Sequence, residues 1–372
     1  MEASMAVAKA VKLCRPKVIA CYPITPQTHI VERLADFVND GLLDAEMIPV
    51  ESEHSALSCV LGASAAGVRT FTATASQGLA LMYEILPIVS GLRLPIVMAV
   101  ANRALSAPIN IWNDHSDALS ARDQGWFQFY AESSQEALDG IIFAYKISEN
   151  DKILLPSMVC LDGFNLSHVW EIVDIPEEEK VKEFLPEYKA KFKLDPEDPF
   201  TFGPIAFPDS FMEFKKSQQA AMEKARELLP KVNKDFKKIF GREFSALELY
   251  KMDDAEYAII ALGSICGTAK VAVDEMRKEN KKVGLIKLRY FRPFPEKELI
   301  NALEKVTAIA AISRHISLGN EGIIAAEIKS SLYGKDIKVK DYIAGLGGRD
   351  VTIKHFKKAI ENIHKKGQEW LL

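Results

Sequence analysis

Through the first 160 residues, short β-branched apolar runs alternate with longer stretches of helical period. The pattern predicts helix 2–14, strand 17–22, helix 27–39, strand 47–50, helix 53–66, strand 69–74, helix 77–90, strand 94–100, strand 126–130, helix 134–149 and strand 153–160. Strands separated by a helix need crossover connections, so a parallel sheet with helices on both faces is expected. Residues 171–206 break the rhythm: "DIPEEEKVKEFLPEYKAKFKLDPEDPFTFGP" is rich in charge and proline and has little periodicity, which suits an extended connector. A long charged helix is expected at about 208–240. The alternation then resumes with strands at 255–262, 282–288, 307–313 and 337–344 and helices at 265–280, 296–305, 320–333 and 351–365. The predicted architecture is α/β, with two doubly wound sheet domains. The first spans 1–240, with the connector and long helix from about 171, and the second spans 250–372. Two domains agree with a length of 372 residues, beyond the roughly 250–300 at which one core stops growing.

Composition narrows the function. The chain is 48% hydrophobic and 26% charged with a formal net charge of -4, so it lacks the basic surplus that nucleic acid demands. No apolar run is long enough to cross a bilayer, and "MEASMAVAKAVKLCRPK" has no signal-peptide pattern, so a cytoplasmic protein is expected. Cys14, Cys21, Cys59, Cys160 and Cys266 are scattered singly, with no C-x-x-C pair. That spacing offers neither an iron-sulfur cluster motif nor a disulfide framework.

Three segments can carry chemistry. In "CYPITPQTHIVE" (21–32) prolines on either side of Ile24 and Thr25 stiffen the turn between a strand and a helix. Thr25 then presents a hydroxyl near a positive helix terminus, either for an anionic small molecule or as a helix cap. In "PVESEHSALSCVLGASAAG" (49–67) Glu51 and Glu53 flank Ser52, a natural cap. Carboxylates there can simply complement the dipole, yet the small apolar residues that follow suggest burial, which leaves one carboxylate in need of a partner. In "MAVANRALSAPINIWNDHSDALSARDQGW" (98–126) Arg103 follows an apolar strand and could fork a carboxylate, or pair with Asp114, Asp117 or Asp123. "NDHSD" is too sparse in imidazole for a closed metal site. His29, His54 and His168 are isolated and read as structural. Gly78 in "ASQGLALM" permits close approach, for a ligand or for packing. "AGLGGRD" (344–350) fails the G-x-G-x-x-G spacing and reads as a helix-entry turn. No G-D-G stretch provides a place for a metal-bound diphosphate.

Together "YPITPQT", "VESEHSALSCVLGASAAGVRTFTATASQGLALM", "LPIVMAVANRALSAPINIWNDHSD", "YFRPFP" and "AGLGGRDVT" resemble the alpha subunits of the 2-oxoacid:ferredoxin oxidoreductases, and within them the pyruvate:ferredoxin oxidoreductases (pyruvate synthases), over about residues 15–355. The resemblance implies a thiamine-diphosphate pyrimidine-type domain followed by a transketolase C-terminal-like domain. It implies oxidative decarboxylation of pyruvate with CoA to acetyl-CoA and CO2, reversibly, with electrons passed to ferredoxin. Thiamine diphosphate would be shared with a beta subunit that holds the diphosphate and Mg. The [4Fe-4S] clusters would lie in other chains, with beta, gamma and delta subunits as partners and no metal in this chain. By the same resemblance, Glu53 is expected to be the catalytic, cofactor-binding carboxylate on the aminopyrimidine ring, and Thr25 and Arg103 to bind the substrate. The same chemistry on 2-oxoisovalerate or 2-oxoglutarate is the nearest alternative, and a non-catalytic assembly subunit is the alternative from another class.

Overall fold

The computed structural model describes all 372 residues. Its strands are β1 (Val18–Ala20), β2 (Glu46–Ile48), β3 (Thr70–Thr74), β4 (Val97–Asn102), β5 (Phe127–Tyr130), β6 (Ser157–Asp162), β7 (Leu247–Tyr250), β8 (Tyr257–Ala261), β9 (Val283–Leu288), β10 (Tyr290–Arg292), β11 (Ala308–Ser313), β12 (Lys338–Ala344) and β13 (Glu369–Leu371). They form two sheets, ordered β10-β5-β6-β4-β3-β1-β2 and β13-β12-β11-β8-β9-β7. All pairings are parallel except β10 with β5 and β7 with β9. The α/β class and the doubly wound parallel sheets are therefore as the periodicity predicts. The winding reverses between β1 and β3 in the first sheet and between β8 and β11 in the second. At such a reversal neighbouring loops diverge and leave a crevice at the carboxyl ends of the strands.

Differences from the predicted elements have local causes. The helix expected at 77–90 is two short helices, Ser76–Leu81 and Leu86–Gly91, because Pro87 lacks a donor and its ring excludes a helical carbonyl four residues back. The strand expected at 153–160 is Ser157–Asp162. Pro156 cannot donate to the ladder and Leu154 turns with φ 49°, so pairing starts later and ends on Asp162. The connector contains a helix, Glu178–Phe184, held by buried Val181 and Phe184. The pattern also missed the short edge strands β7, β10 and β13 and the helix Ser116–Ser120.

The long helix Phe211–Phe240 buries Ala221, Ala225, Leu229, Val232 and Phe236, a stripe at spacings of three and four, against the first half of the chain. Phe236 meets Phe143 and Phe184, and Phe143 meets Phe129, Phe244 and Tyr290, at centroid separations of 5.0–6.1 Å. Tyr290 belongs to β10, so a segment from the second half both caps the first sheet, pairing with Phe129, and fills its core.

A buried ionic clasp lies beside this edge. Glu132 and Glu136 of the first half meet Lys270, Lys287 and Arg289 of the second, with Glu248 closing the group. The three carboxylates converge closely enough to ligate a cation, and here the basic side chains supply that positive charge. Burial works to raise the Glu136 carboxyl, but Arg289 and Lys287 outweigh it and push it down to about 2 from an ordinary 4.5. A carboxyl depressed by folding stabilises above its unfolded pKa and loses that contribution as pH falls through the folded value. Glu136→Gln should therefore cost about 3 kcal/mol at pH 7, and the gap to the parent should narrow steadily below pH 4.5, as thermal or urea unfolding across pH would show.

Candidate functional site

Four adjacent strands, β2-β1-β3-β4, deliver the candidate residues at one edge of the first sheet. Thr25 follows β1, Glu53 follows β2, Gly78 follows β3 and Arg103 follows β4. The first and third of these strands flank the reversal point.

Thr25 does not cap the helix Thr28–Asn39. Gln27 occupies that position, and its buried amide donates to the Ala73 carbonyl at 2.7 Å, tying the turn to β3. The Thr25 hydroxyl is left exposed in front of the helix. Its carbonyl accepts a 2.9 Å hydrogen bond from Nη1 of Arg103, so the structure brings these two residues together. Nε of Arg103 donates to the Asn110 carbonyl at 3.3 Å. None of the three acids that could have paired with the guanidinium does so. Asp117 accepts from the Arg103 backbone N–H at 3.0 Å, Asp114 accepts from Ser116 N–H at 2.9 Å, and Asp123 faces Arg122 and Arg292. Arg103 is only 8% exposed. A buried guanidinium that meets neutral carbonyls alone keeps donors and charge available to an anion.

The two helix-start carboxylates separate cleanly. Glu51 is exposed and accepts from the Ser55 hydroxyl. Glu53 is buried as the first residue of helix Glu53–Ala65, whose cap is Ser52, accepting from Ser55 N–H at 3.2 Å. The Glu53 side chain lies against the Gly78 backbone. A Cβ on Gly78 would stand 2.7 Å from Oε1 of Glu53 and 2.4 Å from Oγ1 of Thr74, and that Thr74 hydroxyl is buried without a partner. No basic side chain neutralises Glu53.

Asp117 organises this edge, and sequence reasoning weighed it only as a partner for Arg103. Its buried carboxylate accepts from the backbone N–H groups of Ser76 (2.9 Å), Arg103 (3.0 Å) and Ala118 (2.7 Å) and from the Asn102 amide (2.7 Å). Burial raises its pKa while these bonds oppose the rise. Ser76, at φ 48°, also donates its hydroxyl to the Ala104 carbonyl at 2.6 Å. One carboxylate thus locks the turns after β3 and β4 to each other. Its one signal in the sequence was its place among the acids of the long polar loop that follows Arg103.

The other weighed features settle structurally. His29 contacts Glu2 and stacks near His168, and His54 faces Glu84. His115 is buried, with Nε2 2.6 Å from Asp162. The site edge is open and carries exposed Tyr22, Ile48, Leu81 and Tyr83 close in sequence to Thr25, Glu53 and Gly78. A cavity of about 700 Å³ lies elsewhere, under the connector among Phe192, Phe200, Phe202 and Phe214.

Residues 9–234 match the family described as pyruvate flavodoxin/ferredoxin oxidoreductase, thiamine diP-bdg (thiamine diphosphate-binding), and residues 255–356 match pyruvate:ferredoxin oxidoreductase core domain II. The chain belongs to this family. It is 54% identical to pyruvate synthase subunit PorA of Methanocaldococcus jannaschii, over 97% of this chain and 93% of that one. It is 45% identical to ketoisovalerate oxidoreductase subunit VorA of Pyrococcus horikoshii, over 98% and 93%. Its fold is similar to that of the 2-oxoglutarate:ferredoxin oxidoreductase of Magnetococcus marinus, with TM-score 0.75 at 18% identity. That match covers 98% of this chain, which spans about 65% of the solved one.

The crowding at Gly78 generates a test. In an ordinary helix Gly→Ala stabilises by up to about 1 kcal/mol. Here Gly78→Ala should destabilise by about 1–3 kcal/mol, and adding Thr74→Ala should recover part of the loss, as chemical denaturation of the two variants would measure.

Proposed function

We propose that this chain is the alpha subunit of a pyruvate:ferredoxin oxidoreductase (pyruvate synthase). With partner subunits, the enzyme cleaves pyruvate with CoA to acetyl-CoA and CO2, passes two electrons to ferredoxin, and can run in reverse. The observation that carries the reading is the buried Arg103 guanidinium, turned toward Thr25 and paired with no carboxylate. It sits on the same sheet edge as a buried, unneutralised Glu53. Full-length likeness to pyruvate synthase subunits supports it independently.

The residues fit thiamine diphosphate on this chain's side. Glu53, buried without a basic partner and seated on Gly78 beside the orphan Thr74 hydroxyl, is the group that would hold the aminopyrimidine ring. When bound, the cofactor supplies the electron sink for decarboxylation. Glu53 holds a proton against the ring nitrogen, a task that favours a carboxylate shielded from water. Arg103 binds the substrate carboxylate through its planar fork, and the Thr25 hydroxyl addresses the carboxylate or the adjacent carbonyl. The exposed apolar residues along this edge suit burial by a beta subunit that carries the diphosphate and Mg.

The [4Fe-4S] clusters belong in smaller partner chains. Four of the five cysteines here are buried, and burial pushes Cys14 and Cys21 up to about 12, far from the thiolate form that clusters need. In this reading residues 1–240 are the pyrimidine-binding half, residues 250–372 the transketolase C-terminal-like half, and beta, gamma and delta subunits and ferredoxin are the partners. No helix is long and apolar enough to cross a membrane, in keeping with a cytoplasmic complex.

The likeness to a ketoisovalerate oxidoreductase subunit favours one second reading, the same chemistry on a branched 2-oxoacid. Viologen reduction by the reconstituted complex, offered pyruvate, 2-oxobutyrate, 2-oxoisovalerate and 2-oxoglutarate in parallel, should show a clear preference for pyruvate. Glu53→Gln should lower kcat by about a hundredfold or more in a complex of unchanged size, whereas an assembly role predicts intact turnover. Arg103→Lys keeps the charge but loses the fork, and should raise KM for pyruvate by about tenfold or more.

A further inference from the structure

The glycine turn near the C-terminus is a structural part of the substrate edge. Leu346–Gly348 is a tight turn, with Gly347 in left-handed backbone at φ 60° and ψ 30°, and it packs on the loop following Arg103, more than two hundred residues away in sequence. The side-chain amide of Asn110 donates to the Gly347 carbonyl at 3.1 Å, and Gly348 N–H donates to the Asn113 carbonyl at 2.7 Å. The fit leaves no room for side chains. A Cβ on Gly347 would stand 2.5 Å from Nδ2 of Asn110, one on Gly348 would stand 2.4 Å from Cβ of Trp112, and both glycines have positive φ, at 60° and 80°.

Asn110 faces both ways. Its backbone carbonyl accepts from Nε of Arg103, while its side-chain oxygen accepts from Trp112 N–H at 2.7 Å. The loop is pinned at its base, where Ala104 N–H donates to the Trp112 carbonyl at 3.0 Å, but its tip, Ser106–Ile109, is exposed. A carbonyl next to an exposed tip can aim a flexible guanidinium only if it is itself held. The Asn110 amide, gripping the second half of the chain, is what holds it.

We infer that Asn110, clamped by the Gly347 turn, is a positioning residue that, together with the Thr25 carbonyl, fixes the aim of Arg103 at the substrate carboxylate. The inference rests on the pyruvate reading above. Loosening the clamp leaves the arginine charge in place and spoils its alignment, so the loss falls on substrate binding and spares the steps that involve CoA. Asn110→Ala removes the clamp from one side and Gly347→Ala prises it from the other.

In the reconstituted complex each variant should raise KM for pyruvate by about tenfold, since small misplacements of a binding group are costly. KM for CoA should stay within about twofold. The double variant should be no worse than the worse single one, because both changes break one contact. Thermal unfolding of each complex tracks folding separately, and either variant alone suffices if the other does not assemble. A KM for pyruvate within about twofold of the parent in both variants, or a matching rise for CoA, overturns the inference. If Arg103→Lys raises KM for pyruvate while the clamp variants do not, only this inference falls. If Arg103→Lys has no effect, the functional reading falls with it.

Discussion

Beside the ionic clasp and the β10 pairing, one buried carboxylate, Asp162, joins the two halves of this chain where their sheets meet. Asp162 ends β6 of the first sheet and projects into the reversal crevice of the second, the place where a doubly wound sheet would ordinarily receive an anionic ligand. Ser264, at the start of helix Ile265–Lys278, donates its backbone N–H at 2.9 Å, and Arg314, following β11, donates Nη1 at 2.8 Å. Gly263, with φ 75°, makes the space: a Cβ there would stand 3.0 Å from both Asp162 oxygens. Burial alone would raise the Asp162 carboxyl, yet His115 and Arg314 hold it well below the usual carboxylate range. The second sheet's crevice is therefore filled from within by the protein's own anion, while at the first sheet's reversal Arg103 and Glu53 keep no charged partner. That asymmetry gives a physical reason for the candidate site residues to gather in one half although both sheets are doubly wound.

From that fixed point the site geometry follows. His115, bonded to Asp162 and through its N–H to the Arg314 carbonyl at 2.8 Å, sits two residues before Asp117. Asp117 in turn fastens the turns after β3 and β4. Those turns place Gly78 against Glu53 and Arg103 against Thr25. Buried, hydrogen-bonded Gln27 and Asp117 thus fix the turns that carry Thr25, Gly78 and Arg103, an arrangement that spends little ordering entropy when a ligand arrives.

How much of this the sequence could show depended on how local each signal was. The alternation of strand and helix, the stiff Thr25 turn and the Arg103 position after an apolar strand rest on nearest neighbours and were legible. That Glu53 rather than Glu51 is buried was half legible, since it needed Gly78 from another element to close over it. The edge strands β7, β10 and β13 were too short for any period to stand out, and Pro156 displaced β6 enough to hide Asp162 at its end. The glycine turn at 345–348 failed a phosphate pattern and read as a helix entry. Its close packing on Asn110 and Trp112 depends on a contact between distant parts of the chain that no local pattern encodes.

Because β10 closes the open edge of β5, the first sheet has a deadline during synthesis. The ribosome must deliver residue 292 before Phe127–Tyr130 gains its last hydrogen-bonding neighbour. Until then an apolar strand of buried residues presents unpaired backbone to its surroundings, the geometry on which nascent chains pair wrongly with one another. The long helix and connector that precede β10 therefore set how long the growing polypeptide needs shelter, which makes the order of segments along the chain a matter of protein quality control as well as of architecture.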